Sequence, residues 1–177
     1  MDKSARTKLI AKYKSGHKAV ANAVKKVPKD KLDAKAGPHD WSARDVIHHL
    51  ADAEISDSMR LRKLIAETHP VIQAFDEGEY ARRLYYDRPI ETSLELMRVA
   101  RESTLQLLER LTDAQWEHVG FHTASGRYSV EDWLNTVADH AYDHAEQITN
   151  AAKAKSTTTK KTPAKKAKPA AAKRRKK

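Results

Sequence analysis

The sequence predicts an all-α protein: a four-helix bundle with a long crossover between its second and third helices, followed by a disordered basic tail. Four segments place apolar residues at steps of three and four, the pattern of a helix with one buried face. The second and third segments lie about 20 residues apart, a long connection for a compact domain. Residues 151–177 consist mainly of alanine, lysine, threonine and proline, a composition that cannot bury a core.

The first two helices are predicted over residues 4–27 and 42–67. Pro28 ends the first because proline cannot continue a helix. Ser42, with Asp45 three residues later, has the form of a capping box and sets the start of the second. These two segments supply half of the predicted bundle.

The third helix is predicted to begin at Thr92, with Glu95 three residues later as a second capping pair. Thr112 and Gln115 repeat this signal for a short helix. Residues 70–90, between the second and third helices, predict an irregular crossover that contains one short helix. A crossover of this length often has a function of its own.

A small hairpin and the last helix complete the predicted domain. Residues 119–128 contain a Ser125-Gly126 turn, which favours a hairpin. Ser129, with Asp132 three residues later, caps the last helix. We expect one domain over residues 1–150 and a tail over residues 151–177.

Composition excludes several classes of protein. The chain has 177 residues and no cysteine, so disulfides, thiolate metal ligands and a cysteine nucleophile are excluded. No apolar run reaches the length of a membrane span, and we expect a soluble, cytoplasmic protein without a membrane partner. The net charge of +10 belongs to the tail, where 12 residues are lysine or arginine and none is acidic.

Three histidines are the candidate metal ligands. His140 and His144 are four residues apart, so a helix places both imidazoles on one face, and the apolar stripe indicates that this face points inward. His49 borders the apolar stripe of the second helix. Three imidazoles from two helices can hold a divalent ion and leave positions open for water. The alternative is that these rings are ordinary hydrogen-bonded core histidines in a metal-free bundle.

Nearby carboxylates could support such a site. Asp52 lies one turn after His49, and Asp143 lies close after His140, so either could orient a ring through its second nitrogen. Asp52 and Glu54 are also candidates for a general base, although a surface or supporting role suits each of them better.

Two spaced motifs carry a family resemblance. They are Trp41-Ser-x-x-x-Val46-x-x-His-Leu50-Ala-Asp-x-Glu54 and His140-x-x-x-His144-x-x-Gln-Ile148. In this order they resemble the DinB-like superfamily, and residues 70–77 and 121–127 resemble its YfiT-like branch. The resemblance covers about residues 20–150 and leaves the tail without a counterpart.

The resemblance implies a four-helix bundle, a cytoplasmic location and often a homodimer. It also implies one divalent ion, zinc or nickel, bound by His49, His140 and His144. The branch includes metal-dependent hydrolases and bacillithiol-transferase-like proteins, and it supplies no secure substrate.

The first functional hypothesis is therefore a metal-dependent hydrolase that acts on an unidentified small molecule. The second is a transferase for a low-molecular-weight thiol, which the absence of cysteine fits because the thiol would come from outside the protein. The third is a non-enzymatic bundle tethered to nucleic acid, and so to the nucleoid, by residues 151–177, whose cations would bind phosphates without regard to sequence.

Overall fold

A computed structural model describes residues 1–153 of the chain. It contains six α-helices, three short strands and one 3-10 turn (Lys29–Lys31). In chain order the helices and strands are α1 (Lys3–Val24), α2 (Ala43–Ala66), β1 (Val71–Ile72), α3 (Glu77–Arg83), α4 (Glu91–Leu108), α5 (Asp113–Trp116), β2 (Val119–His122), β3 (Gly126–Ser129) and α6 (Val130–Lys153).

The four long helices form the predicted bundle. Around the bundle axis their order is α1, α6, α2, α4, so that α1 and α2, which are consecutive long helices in the chain, lie diagonally opposite. Two apolar clusters fill the centre, one around Leu50 and Ile148 and the other around Trp133. Because α2 packs directly against α6, the inward faces of these two helices meet.

Three of the predicted helix starts are confirmed by their hydrogen bonds. The Ser42 and Asp45 side chains each bind the other residue's backbone N–H, closing a capping box at α2. Thr112 and Gln115 do the same at α5. At α6 the Asp132 carboxylate accepts from the Ser129 N–H at 2.8 Å, and the Ser129 hydroxyl accepts from the Asp132 N–H.

The predicted start of α4 is wrong. Ile90 precedes the helix and provides no side-chain cap, and Glu91 is the first helical residue. Glu95 binds Arg98 on the helix surface, so it is not available to cap Thr92. The helix starts where Ile90 is buried in the core, and this packing sets its first turn.

The crossover is more ordered than the sequence predicts. It contains the predicted short helix, α3, and also strand β1, which the sequence analysis missed. β1 pairs in parallel with β2, and β2 pairs antiparallel with β3, so the predicted hairpin is confirmed and extended to a three-stranded sheet. Gly126 adopts a φ of +82°, which explains the glycine at the hairpin turn. The sheet fixes the crossover to the segment that leads into α6.

Gly16 lets α1 approach α6 and α4 closely. A Cβ atom at this position would lie 2.8 Å from the Cβ of Ala141 and would overlap the guanidinium of Arg101. Arg101 is buried and forms an ion pair with buried Glu54, at 2.6 Å between Nη2 and Oε2. The Tyr13 hydroxyl also donates to Glu54. One polar network therefore joins α1, α2 and α4 inside the bundle.

The last helix continues to Lys153, three residues beyond the predicted domain boundary. The rest of the predicted tail lies outside the described residues. None of the helices within residues 1–153 is both long and apolar enough to span a lipid bilayer.

Candidate metal centre

His49, His140 and His144 converge between α2 and α6. The Nε2 atom of His140 lies 3.4 Å from Nε2 of His49 and 3.0 Å from Nε2 of His144. The potential ligand atoms of the three rings all lie within 4.8 Å of one another. Residues that are 91 positions apart in the chain thus present their nitrogens to a single point.

The helices explain this convergence. His140 and His144 are one turn apart on α6, and they follow the buried residues Trp133 and Val137 along the same face. His49 occupies the face of α2 that packs against α6, and its side chain is 1% exposed. The Trp41 ring covers His49, with 4.8 Å between the ring centroids. Packing against Trp41 therefore holds the His49 ring, and α6 sets the positions of the other two rings.

Gln147 orients His144. Its amide oxygen accepts a hydrogen bond from Nδ1 of His144 at 2.6 Å, so the ring proton sits on Nδ1 and the Nε2 lone pair faces the centre. In metal sites a second contact of this kind fixes the tautomer of a ligand histidine.

Two of the rings, His49 and His140, are held in their neutral form. Burial, with a smaller contribution from His144, lowers the pKa of His49 to about 4. Burial and the neighbouring histidines lower the pKa of His140 to about 3. Near pH 7 both rings are uncharged, which is the form in which imidazole binds a metal.

The geometry suits a divalent ion. Zinc–nitrogen bonds of 2.0–2.1 Å place neighbouring nitrogens of a tetrahedral site about 3.3 Å apart, and the two shortest spacings here are 3.0 and 3.4 Å. Lone pairs at this distance repel one another unless a proton or a cation lies between them. Imidazole nitrogen is also a common ligand of several divalent first-row ions. The residues present therefore fit a metal ion.

Glu77 borders the cluster. Its Oε2 lies 4.0 Å from Nε2 of His49, and the side chain is 55% exposed. The Asp76 side chain accepts from the Glu79 N–H and so caps α3, which fixes Glu77 in the first turn of that helix. Glu79 pairs with Arg82 and Arg83, whereas the ionisable neighbour found for Glu77 in the described chain is the neutral ring of His49.

Comparison with known proteins identifies the family. The profile of the DinB superfamily matches residues 13–148. The chain belongs to the DinB superfamily.

Curated relatives of this chain carry a functional name. One from Oceanobacillus iheyensis, named "Putative metal-dependent hydrolase", is 34% identical over 134 residues, which are 76% of this chain and 78% of that one. Another with this name, from Halalkalibacterium halodurans, is 29% identical over 111 residues, or 63% of this chain and 65% of that one.

A solved structure shares the fold. The structure titled "YfiT from Bacillus subtilis is a probable metal-dependent hydrolase with an unusual four-helix bundle topology" superimposes with a TM-score of 0.79 at 24% identity. The match covers 85% of this chain and 87% of that one. This likeness confirms the predicted four-helix bundle.

The carboxylates considered from the sequence do not contact the rings. Asp52 accepts a hydrogen bond from the Tyr86 hydroxyl at 2.7 Å, and Glu54 is bound to Arg101 and Tyr13. Asp143 is exposed on the outer side of α6. In the described chain, therefore, Asp52 and Asp143 do not orient a ligand histidine. Asp52 and Glu54 also do not face the cluster, as a general base would.

His48 has a structural role. Its Nδ1 lies 2.8 Å from the Ser93 hydroxyl and its Nε2 lies 3.0 Å from the Arg88 carbonyl oxygen, so the ring ties α2 to the end of the crossover. It points away from the cluster, as its position on the helix predicted.

Sequence reasoning missed the roles of Gln147 and Glu77. Both belong to segments that carried the family resemblance, and Gln147 lies three residues after His144, within reach on one helix face. That spacing could have identified Gln147. Nothing local could have identified Glu77, because its position depends on the path of the crossover.

Proposed function

We propose that this DinB-superfamily protein is a metal-dependent hydrolase with one divalent ion, zinc or nickel, held by His49, His140 and His144. The observation that supports this proposal most directly is the convergence of three Nε2 atoms at spacings of 3.0 and 3.4 Å. The name shared by the curated relatives supports the reaction class.

The three ligands are uncharged, so they leave the charge of a bound ion uncompensated. An ion held there supplies a Lewis acid that polarises a substrate oxygen and lowers the pKa of water toward about 7. The buried face of His49 and the covering ring of Trp41 keep bulk water from one side of the centre. The exposed side, next to Glu77, is where a substrate can enter.

Glu77 is the proposed proton acceptor. Hydrolysis adds water across a substrate bond, and the attacking oxygen must lose a proton as it forms the new bond. Oε2 of Glu77, 4.0 Å from His49 Nε2, is the carboxylate oxygen that the described chain places nearest to the ring cluster. It can take up that proton and return it to the leaving group.

The experiment compares Glu77→Gln with the wild type on a panel of carboxylic esters, amides and phosphate esters. We expect the variant to keep its metal and to lose about 100-fold or more of the hydrolysis rate. Glu79→Gln, in the same turn of α3, is the matched control and should stay near the wild-type rate. Equal rates for Glu77→Gln and the control would exclude Glu77 as the proton acceptor.

Thiol transfer is the second candidate reaction at this centre. The chain has no cysteine, so the thiol would be a separate low-molecular-weight substrate that becomes a metal-stabilised thiolate. A loaded protein that consumes glutathione in the presence of 1-chloro-2,4-dinitrobenzene, yet hydrolyses nothing in the panel, would favour this reaction over hydrolysis.

The basic tail supports a third, separate proposal, which is nonspecific tethering to nucleic acid. Its 12 cations without an acidic residue would release counterions from phosphates on binding. A gel-shift salt titration of the full chain and of a chain ending at residue 153 tests it. We expect the full chain to bind DNA more tightly and with a steeper salt dependence. Equal DNA affinity of the two chains would show that the tail does not tether the protein to nucleic acid.

A further inference from the structure

We propose that a cavity between α2 and the crossover is the substrate subsite, and that it takes a molecule with an apolar body and an anionic group such as a carboxylate. The cavity has a volume of about 310 Å³. Its role as a substrate subsite rests on the proposed hydrolase function, whereas its preference for an apolar anion rests on its own lining.

The walls of the cavity are apolar. Ile55 and Met59 of α2 line one side and are 41% and 53% exposed, unusually open for large apolar side chains. Phe75 and Tyr80 of the crossover line the other side, with their ring centroids 4.8 Å apart. A concave site with apolar walls and a few polar groups is the usual form of a small-molecule site.

The charged groups in the lining are both cations. Arg60 and Lys63 line the cavity, and no acidic residue does. The guanidinium of Arg60 binds the Asp57 carboxylate at 2.9 Å and the Gln73 carbonyl oxygen at 3.1 Å, but its buried Nε has no hydrogen-bond partner. A buried N–H without a partner is unfavourable. This atom is enclosed, so an anionic group in the cavity would instead meet the positive charges of the Arg60 and Lys63 side chains.

The Lys63 side chain is partly exposed and can change its conformation when a ligand binds. Its ammonium donates to the Val71 carbonyl oxygen at 3.0 Å and lies 3.7 Å from Glu67, and its side chain is 37% exposed. The ion pair is weak, because a surface ion pair at this distance contributes little. Lys63 can therefore turn toward an anion if the new contact replaces its hydrogen bond to Val71.

Two helices, α3 and α2, run from the histidine cluster to the cavity. Glu77 approaches His49, and Tyr80, three residues later in the same helix, lines the cavity. Three helical residues span about 4.5 Å along the axis. His49 and Ser56, which also lines the cavity, are seven residues apart and share one face of α2. A molecule in the cavity would thus present one end to the proposed centre.

The test measures binding of three matched probes to metal-free protein by NMR titration: 3-phenylpropionate, 3-phenylpropionamide and 3-phenylpropylamine. We expect the carboxylate to bind at least tenfold more tightly than the amide, and the amine more weakly still. Met59→Trp, which fills the cavity, and Lys63→Glu, which reverses a charge, should each weaken carboxylate binding at least tenfold. Equal affinity for the three probes, or unchanged affinity in both variants, would overturn the proposal.

Two controls match these variants. Val99→Trp places the same ring on the exposed side of α4, and Lys25→Glu makes the same charge change after α1, so both should bind the carboxylate within twofold of wild type. His144→Ala should also leave this binding within twofold, which separates the cavity from the metal proposal.

A second measurement tests the link to the centre. In protein loaded with Co²⁺, the paramagnetic ion should broaden the signals of bound 3-phenylpropionate, and Met59→Trp should abolish the broadening. A probe that binds the cavity of Co²⁺-loaded protein without broadening would show that the cavity is not the substrate subsite. Failure of Co²⁺ to bind at all would instead count against the metal centre.

Discussion

Among single residues, Gln147 shows how one side chain outside the proposed ligand set controls the chemistry of a ring. Its amide oxygen holds the proton of His144 on Nδ1, which leaves Nε2 free to bind an ion. Aspartate or glutamate often fills this role in metal sites, and the sequence offered Asp143 for it. The helix turns Asp143 outward and Gln147 inward, so an uncharged group supports the ring and adds no negative charge to the cluster.

We predict that Gln147→Ala weakens zinc binding by about 10- to 100-fold, because His144 loses the contact that fixes its tautomer. Gln147→Glu keeps an acceptor at this position and should restore most of the affinity. Competition with a chelating dye measures both. Glu146→Ala, at the exposed neighbouring position, is the control, and an equal affinity for Gln147→Ala and this control would refute the role of Gln147.

Asp57 gives the fold a measurable pH dependence. Burial, opposed by Arg60, raises the pKa of this carboxyl to about 6, whereas an aspartate in an unfolded chain titrates near about 3.9. The folded state therefore holds a proton that the unfolded state releases between these values. This group stabilises the fold fully below about pH 4, and the contribution is lost as the pH rises through about 6.

We predict that the stability advantage of the wild type over Asp57→Asn falls by about 2 kcal/mol between about pH 4.5 and pH 7.5. Groups common to both proteins cancel in this difference. Urea unfolding of the two metal-free proteins across this range measures it. A difference that stays constant with pH, or grows as the pH rises, would contradict the buried environment assigned to Asp57.

At the scale of helices and strands, features set by neighbouring residues in the chain could be predicted from the sequence. Features set by tertiary packing could not. The Ser42–Asp45 and Thr112–Gln115 boxes follow from contacts between residues three apart, which any helix start offers. β1 consists of two residues, and it is a strand only because it pairs with β2, about 50 residues later. Glu91 begins α4 without a cap because the preceding Ile90 is packed in the core.

The candidate site shows the same contrast between positions set by local sequence and positions set by tertiary packing. Periodicity places His140 and His144 together because they share one helix, and it turns His49 toward the core. Glu77 could not be placed this way, since its position depends on how the sheet and α3 hold the crossover. Arg101 is a further example, because a charged residue is normally expected on the surface and its burial depends on Glu54 and Tyr13 from two other helices.

We predict that Arg101→Met destabilises the protein by about 3–5 kcal/mol, because it leaves the Glu54 carboxylate buried without its cation. The double variant Glu54→Leu/Arg101→Met removes both charges and should recover much of that loss. Urea unfolding of the two single variants and the double variant measures the coupling. Additive losses would show that the two side chains do not depend on each other.

At the scale of the whole molecule, the order of the helices brings the site together. Helices α2 and α6 lie far apart in the chain, yet they are neighbours because α6 packs between α1 and α2. The long crossover lets α4 pack on the other side of α2, and on its way it carries Glu77 to the edge of the histidine cluster. The bundle thus serves as a rigid frame, and the crossover shapes the open side of the site.

The central claim is that three histidines hold one divalent ion, and metal analysis of the purified untagged protein tests it most directly. We expect about one zinc or nickel ion per chain in the wild type and in the control His69→Ala, which changes an exposed histidine. His49→Ala, His140→Ala and His144→Ala should each lose most of the bound ion while keeping a helical circular dichroism spectrum. Wild-type occupancy in all three variants would contradict the account.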